Sequence, residues 1–354
     1  MFELRTWAPF LFTLGLLFVV LNYSPKLSNF TRAFAALICS AAFLRYLYWR
    51  IFFTLPLHQN FLQRVWAGVF LVMEVCAVLS AMLVQFFMSR YLDRRGQADA
   101  NQSSPLLQSP VDVFIPTLNE DLPILERTIV GAQAIRHNHL RIWVLDDGAR
   151  PAVRQLAEEL GVLYVQRVKG RHGKAGNINN GLQHALSTGR APEFVLLLDA
   201  DFVPFRNILQ RTLGFFEDPT IGIVQTPQHF FNRDPVQTNL LSSTVWPNEQ
   251  RFFFNVLMPC KDAWGAAFCC GTSAVVRVSA LLACGGMATE TVTEDSLTST
   301  KMQEKGFRTV YLNERLSMGR RASANSSPSA LAGVSVPCSR SSPVGHFWVQ
   351  AAFA

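Results

Sequence analysis

The apolar run 194–198, Phe-Val-Leu-Leu-Leu, leads directly into Asp199-Ala200-Asp201, and no other stretch constrains the fold as much. It reads as a buried strand. Side chains two apart on a strand share a face, so both carboxylates project together beyond its carboxyl end, where open α/β sheets bind ligands. Paired carboxylates there suit a hard divalent cation such as Mg²⁺. A pair of solvated acids in a turn is the bland alternative, and an isolated Asp-x-Asp would favour it. Other segments, at suitable spacings, shift the balance.

The chain has 354 residues, room for one substantial domain and something more. Segments 7–23, 33–55 and 65–92 are apolar, the second carrying Arg45 and Arg50 and the third Glu74 and Gln85. A span needs roughly 20 apolar residues. Three spans are expected, the third the firmest and the first the weakest. A secretion signal is the other reading of the first, but no small-x-small cleavage site follows it. Arg90, Arg94 and Arg95 follow the third span, which places the remainder in the cytoplasm, the N-terminus outside and the loop 26–32 inside. Glu74 is an intramembrane acid, for which a structural partner in Arg45 is expected.

The formal charge of +7 is unevenly placed. Residues 1–96 hold nine Lys/Arg against three Asp/Glu, residues 320–354 hold three Arg and no acid, and the region between is slightly acidic. The excess is a membrane effect, so a nucleic-acid partner is not expected. The seven cysteines (39, 76, 260, 269, 270, 284, 338) show no zinc spacing, and a cytoplasmic domain keeps them as thiols.

Residues 93–110 are polar and read as a linker. From residue 111 strands and helices alternate: strands at 111–115, 141–145, 162–166, 194–198, 221–225 and 272–278, helices at 122–134, 152–160 and 175–187. That alternation predicts an α/β domain with a doubly wound, mostly parallel sheet over 111–319. Residues 320–354 switch to Ser, Ala, Arg and Pro without periodicity, the composition of a disordered or non-native extension.

Polar groups gather at the expected strand ends. Phe-Ile-Pro-Thr-Leu-Asn-Glu (114–120) closes the first strand and Asp146-Asp147-Gly148 the second. Adjacent loops of this kind would form a nucleotide crevice, although turn chemistry explains Asp-Asp-Gly equally well. Lys174-Ala-Gly-Asn177 precedes a helix, where a lysine and free amides could hold a diphosphate; a solvated lysine is the plainer reading. Val-Gln-Thr-Pro-Gln-His-Phe-Phe (224–231), Phe-Cys-Cys-Gly-Thr (268–272) and Thr-Val-Thr-Glu-Asp (291–295) follow. In the last, Asp295 could be a general base at a helix start, while Thr293 is a good N-cap and the acids suit a first turn.

Taken in order, these segments resemble a processive family 2 glycosyltransferase, most closely the catalytic subunit of bacterial cellulose synthase. The resemblance runs from the Arg-Tyr-Leu-Tyr-Trp-Arg patch (45–50) to Gly319. It implies a GT-A-like fold and an inverting transfer of glucose from UDP-glucose to the 4-hydroxyl of a β-1,4-glucan. By the same resemblance Thr117, Glu120, Asp146 and Asp147 face the uridine, and Lys174 lies near the diphosphate. Asp199 and Asp201 hold Mg²⁺ or Mn²⁺, Cys270 and Gly271 line the acceptor side, and Asp295 is the base. It further implies a bacterial inner-membrane location and a periplasmic accessory subunit. Cyclic-di-GMP activation belongs to the full-length family, but no segment here would bind it.

Several positions depart from the family pattern. Cys269 stands where a second Phe is usual, Gly173 where an Ala is usual, and three spans are legible where four are typical. After Gly319 the family continues to a Gln-x-x-Arg-Trp motif and further spans. The loss of pattern at Arg320 has the form a shifted reading frame produces. A membrane-anchored fragment without turnover is therefore the alternative function, and a sister synthase making hyaluronan, chitin or β-1,3-glucan is another.

Overall fold

The computed structural model describes residues 4–23, 28–56, 60–167, 170, 172–232, 234–241, 245, 247–248 and 250–320. The expected irregular tail, apart from Arg320, lies outside the described residues, as do Lys26 and Cys338. Two compact units emerge, one up to Tyr91 and one from Leu92.

The first unit holds three helices, Leu4–Tyr23, Asn29–Phe53 and Phe61–Met88. The second and third are long and apolar enough to cross a membrane, while the apolar stretch of the first narrows to Ala8–Val20. Side-chain caps start the two longer helices: Ser28 Oγ accepts from the Thr31 amide at 3.2 Å and Asn60 Oδ1 from the Gln63 amide at 3.0 Å. Glu74 pairs with Arg50 at 2.7 Å, not with Arg45. Ser40 Oγ donates to Gln85 at 3.2 Å, and the helix register that this contact shares places Glu74 beside Arg50. Arg45 stands more than a turn away along the same helix.

In the second unit the strands are β1 (Val111–Thr117), β2 (Leu140–Asp146), β3 (Leu163–Gln166), β4 (Phe194–Leu197), β5 (Phe202–Pro204), β6 (Ile221–Gln225), β7 (Ala274–Arg277), β8 (Arg308–Tyr311) and β9 (Ser317–Gly319). Seven form one sheet in the order β3-β2-β1-β4-β7-β6-β8, and β5 pairs with β9 apart from it. β7 runs antiparallel to both its neighbours, and the remaining pairings of the large sheet are parallel. Both faces are covered, which is why these strands read as continuous apolar runs. Val111, Val113, Ile115, Phe194 and Leu196 join one core layer, and Phe114, Trp143, Leu145, Val195 and Leu197 the other. Helices Leu122–Gln133 and Pro151–Glu159 cover the first face, and Gly173–Ser187 the second.

The stretch 93–110, expected as a linker, is folded onto this domain. It forms a short helix, Arg95–Ala100, and two tight turns, Asn101–Ser103 and Pro105–Gln108. Ala98 is fully buried. Arg94, counted by sequence among the charges flanking the third span, grips the buried Asp262 with two nitrogens. Arg211 reaches Asp99 at 2.6 Å and Glu314 at 2.7 Å. Polar composition misleads here because its polar groups meet complementary charges of the domain.

Candidate active site

The order in which strands are added to the sheet reverses about β1: β2 and β3 lie on one side of it and β4 on the other. A crevice opens at such a switch point, beyond the carboxyl ends of the strands. β1 and β4 are in register from Val111 with Phe194 to Phe114 with Leu197, so Asp199 emerges level with the end of β1. Because β7 is antiparallel to β4, with Leu197 opposite Ala274, the amino end of β7 meets this crevice. It brings Cys270, Gly271 and Thr272 beside Asp199. The Thr272 hydroxyl accepts from the Asp199 amide at 2.8 Å.

On the β1–β2 side the expected residues form one hydrogen-bonded frame. Glu120 accepts from the Thr117 hydroxyl at 2.7 Å and the Leu118 amide at 2.8 Å. Asp146 is wholly buried and accepts from the amides of Gly148 at 2.9 Å and Arg150 at 2.7 Å and from the Tyr164 hydroxyl at 3.0 Å. Its carboxylate therefore does turn chemistry. Asp147 is held by the Arg167 guanidinium at 2.6 and 2.7 Å. Arg150, which the sequence reading passed over, donates to the Thr117 hydroxyl at 2.6 Å and the Glu120 carbonyl at 2.7 Å. It ties the end of β1 to the turn after β2. An arginine next to Asp-Asp-Gly-Ala was the available signal.

The other side gathers the remaining residues around one ammonium. Lys174 Nζ donates to the Asp199 carboxylate and, at 2.7 Å, to the Gly271 carbonyl. Gly271 has φ +84°, and a Cβ there would stand 3.1 Å from Asp295 Oδ2 and 3.4 Å from Lys174 Nζ. Both the backbone angle and the close approach require glycine. Burial pulls the Lys174 ammonium toward neutrality, and the Asp199 carboxylate more than reverses this, leaving its pKa above the ordinary value. The acids respond in the opposite sense. Burial, then the neighbouring Asp199 charge, push the Asp201 pKa up to about 6, with Glu120 adding a smaller repulsion. Burial likewise raises Asp295 and Glu294, partly offset by Lys174.

Helix Glu294–Glu304 places Asp295 in its first turn, and Thr293 makes no side-chain cap bond to it. The capping explanation of Thr-Glu-Asp thus loses its main contact, while Asp295 faces the crevice loop. Cys269 is buried, its thiol pushed up to about 12 by burial and then by Asp295, and its amide donates to Ser299 Oγ at 2.7 Å. It acts as a small apolar filler. Cys270 is half-buried, and burial raises its thiol pKa well above the usual value.

The Gln-Thr-Pro-Gln segment holds this loop in place. Gln225 accepts from the Cys270 amide at 2.7 Å and donates to the Thr272 carbonyl at 2.8 Å, while Gln228 donates to the Cys270 carbonyl at 2.7 Å. Gln225 is fully buried at the carboxyl end of β6, a buried amide that also donates to the Thr226 carbonyl at 2.7 Å. Among the described residues no cluster of three or more His, Cys, Asp or Glu forms a metal cage. Asp199 and Asp201 lie near enough for the charge of one to act on the other, and a hard cation can use one or two such carboxylates when a ligand supplies further oxygens.

Residues 112–284 match the family model of glycosyl transferase family 2. A putative cellulose synthase 2 of Komagataeibacter xylinus is 39% identical over 78% of this chain and 18% of its own length. The UDP-forming cellulose synthase catalytic subunit of Pseudomonas fluorescens (strain SBW25) is 38% identical over 77% of this chain and 36% of its own length. The UDP-forming cellulose synthase 1 catalytic subunit of K. xylinus is 36% identical over 82% and 38%. The chain thus spans well under half the length of these relatives. Among solved structures, a mannosyltransferase of Pyrobaculum calidifontis in complex with GDP-Man and Mn²⁺ is 23% identical, with a TM-score of 0.48, over 70% of this chain and 69% of that one. With its mostly parallel sheet, its crevice and its relatives along most of its length, the chain carries a glycosyltransferase domain of family 2, GT-A-like in fold and related to cellulose synthase catalytic subunits.

Proposed function

We propose that this chain is the donor-binding and catalytic part of a membrane-bound, inverting cellulose synthase that uses UDP-glucose. One observation carries the reading: Lys174 joins Asp199 to the Gly271 loop, and that loop lies against Asp295. Donor-side carboxylates and candidate base thus converge on one point. The names of the relatives supply the substrate class.

Thr117, Glu120 and Asp147 shape the uridine side, on the frame that Arg150 and Asp146 build. Asp199 and Asp201 would hold Mg²⁺ or Mn²⁺, which when bound neutralises charge on the departing UDP. Asp295 takes the proton of the acceptor 4-hydroxyl as that oxygen attacks the anomeric carbon. Its raised pKa suits a base that must hold this proton. Gly271 leaves room for the acceptor beside the base, and Cys270 lines the same loop. The two long apolar helices anchor the domain to the bacterial inner membrane, with the catalytic domain cytoplasmic and a periplasmic accessory subunit receiving the glucan.

The test is UDP titration of the full chain in detergent, with and without Mn²⁺. The wild-type protein should bind UDP more tightly with Mn²⁺ present, and an Asp199→Ala, Asp201→Ala double variant should show no such gain. Equal Mn²⁺ dependence in both proteins removes the donor site from this crevice.

A further inference from the structure

We propose that Lys174 is a built-in counter-cation that occupies Asp199 until a divalent ion displaces it, so that metal arrival and lysine release are one event. This rests on the metal reading of Asp199 and Asp201 and goes beyond it. The ammonium is the cation that the structure places among four carboxylates, those of Asp199, Asp201, Glu294 and Asp295, whose charges all interact with it or with one another. It already fills one donor position of the first metal carboxylate. The ammonium holds Asp199 Oδ1, and a divalent ion that takes this oxygen brings two positive charges against it, so competition for one oxygen and repulsion between the cations together release the lysine.

The geometry permits the exchange. Lys174 sits in the first turn of helix Gly173–Ser187, whose backbone is pinned. Asn177 Nδ2 donates to the Leu145 carbonyl at 2.7 Å and Asn179 Nδ2 to the Met287 carbonyl at 2.9 Å. The helix stays put while the four-carbon stem swings. The Gly271 carbonyl gives the ammonium a second acceptor that it can keep during the change. A nucleoside diphosphate offers the freed ammonium new oxygens, so nucleotide and metal must favour each other's binding, and the coupling is reciprocal.

The experiment measures free Mn²⁺ by electron paramagnetic resonance over the full chain in detergent, without nucleotide. Lys174→Met should bind Mn²⁺ about ten- to a hundredfold more tightly than wild type, the range expected when one charge-assisted hydrogen bond stops competing. The gain should disappear in an Asp199→Asn background, which separates direct competition from a general change in field. Equal affinity in wild type and Lys174→Met, or the same gain with Asp199→Asn, overturns the exchange. A second measurement needs no variant: acetylation of Lys174 in the wild-type chain, read by mass spectrometry, should rise as Mn²⁺ is added. Unchanged labelling overturns the proposal as well. Failure of wild type to bind Mn²⁺ even with UDP present overturns instead the metal site on which the exchange rests.

Discussion

The two walls of the crevice treat their acids in opposite ways. At the ends of β1 and β2, Asp146 and Asp147 each lie against an arginine, and Glu120 accepts two local hydrogen bonds. Across the crevice, Asp199, Asp201, Glu294 and Asp295 share one lysine. There burial, with smaller repulsions from neighbouring acids, raises the pKa of Asp201, Glu294 and Asp295. The first wall is satisfied by the protein alone and can be rigid before any ligand arrives. The second crowds several carboxylates beside one ammonium among the described residues, an arrangement that a bound cation would relieve. Acids matched by arginines build the frame, and the acids proposed for metal and proton are the ones crowded around the lysine.

The largest effect that sharpens this contrast should come from Asp295→Asn. It should lower glucosyl transfer from UDP-glucose by about a hundred- to ten-thousandfold, the usual range for losing a general base. UDP affinity should be unchanged, because the frame lies on the other wall. A parallel fall in UDP affinity would mean that the walls are not separate.

Arg150→Ala should act the other way round. Without its guanidinium the Thr117 hydroxyl and the Glu120 carbonyl each lose a charge-assisted partner, at about 2 kcal/mol of stability. Denaturant midpoints and UDP affinity should both fall. Unchanged UDP affinity would place the nucleotide off this frame.

A pH titration probes the second wall through Asp201, whose pKa moves from 3.8 to about 6 on folding. The folded state therefore holds this proton more tightly than the unfolded chain. Stability from this group is present at low pH and is lost as pH rises through about 6. In the absence of divalent cations, Asp201→Asn should melt higher than wild type at pH 7.5, and the difference should close toward pH 4. Added Mn²⁺ should stabilise wild type and not the variant. A variant that melts lower at every pH would show that Asp201 is a structural acid like those of the other wall.

The smallest effect belongs to Thr293→Ala. A capping threonine is worth about 1 kcal/mol, but Thr293 makes no cap bond to its helix. Its replacement should change stability by less than about 0.5 kcal/mol, as for an ordinary surface position. A full capping loss would restore the structural explanation of Thr-Glu-Asp.

The sequence shows the expected strands through β4 closely, each displaced by a residue or two at its ends, because burial on both faces leaves an unbroken apolar run. β5, β8 and β9 were not legible. β5 and β9 are three residues long, too short for periodicity to distinguish from loop, and β8, Arg-Thr-Val-Tyr, carries no unbroken apolar run. Arg150 and Gln225 were missed as organisers for a related reason. The partners that make them organisers are separated from them by about 30 and 45 residues or more, and nothing in the local pattern names a partner that far away.

What the sequence determined by itself was the α/β alternation, the apolar helices and the types of residue at each strand end, since all of these follow from neighbours along the chain. Tertiary structure decided which acids meet an arginine and which are crowded together beside a lysine. Strand direction was the physical lever, because apolar patterning is the same whichever way a strand runs. Only when β7 lies antiparallel beside β4 does its amino end carry Gly271 to Lys174 and Asp295.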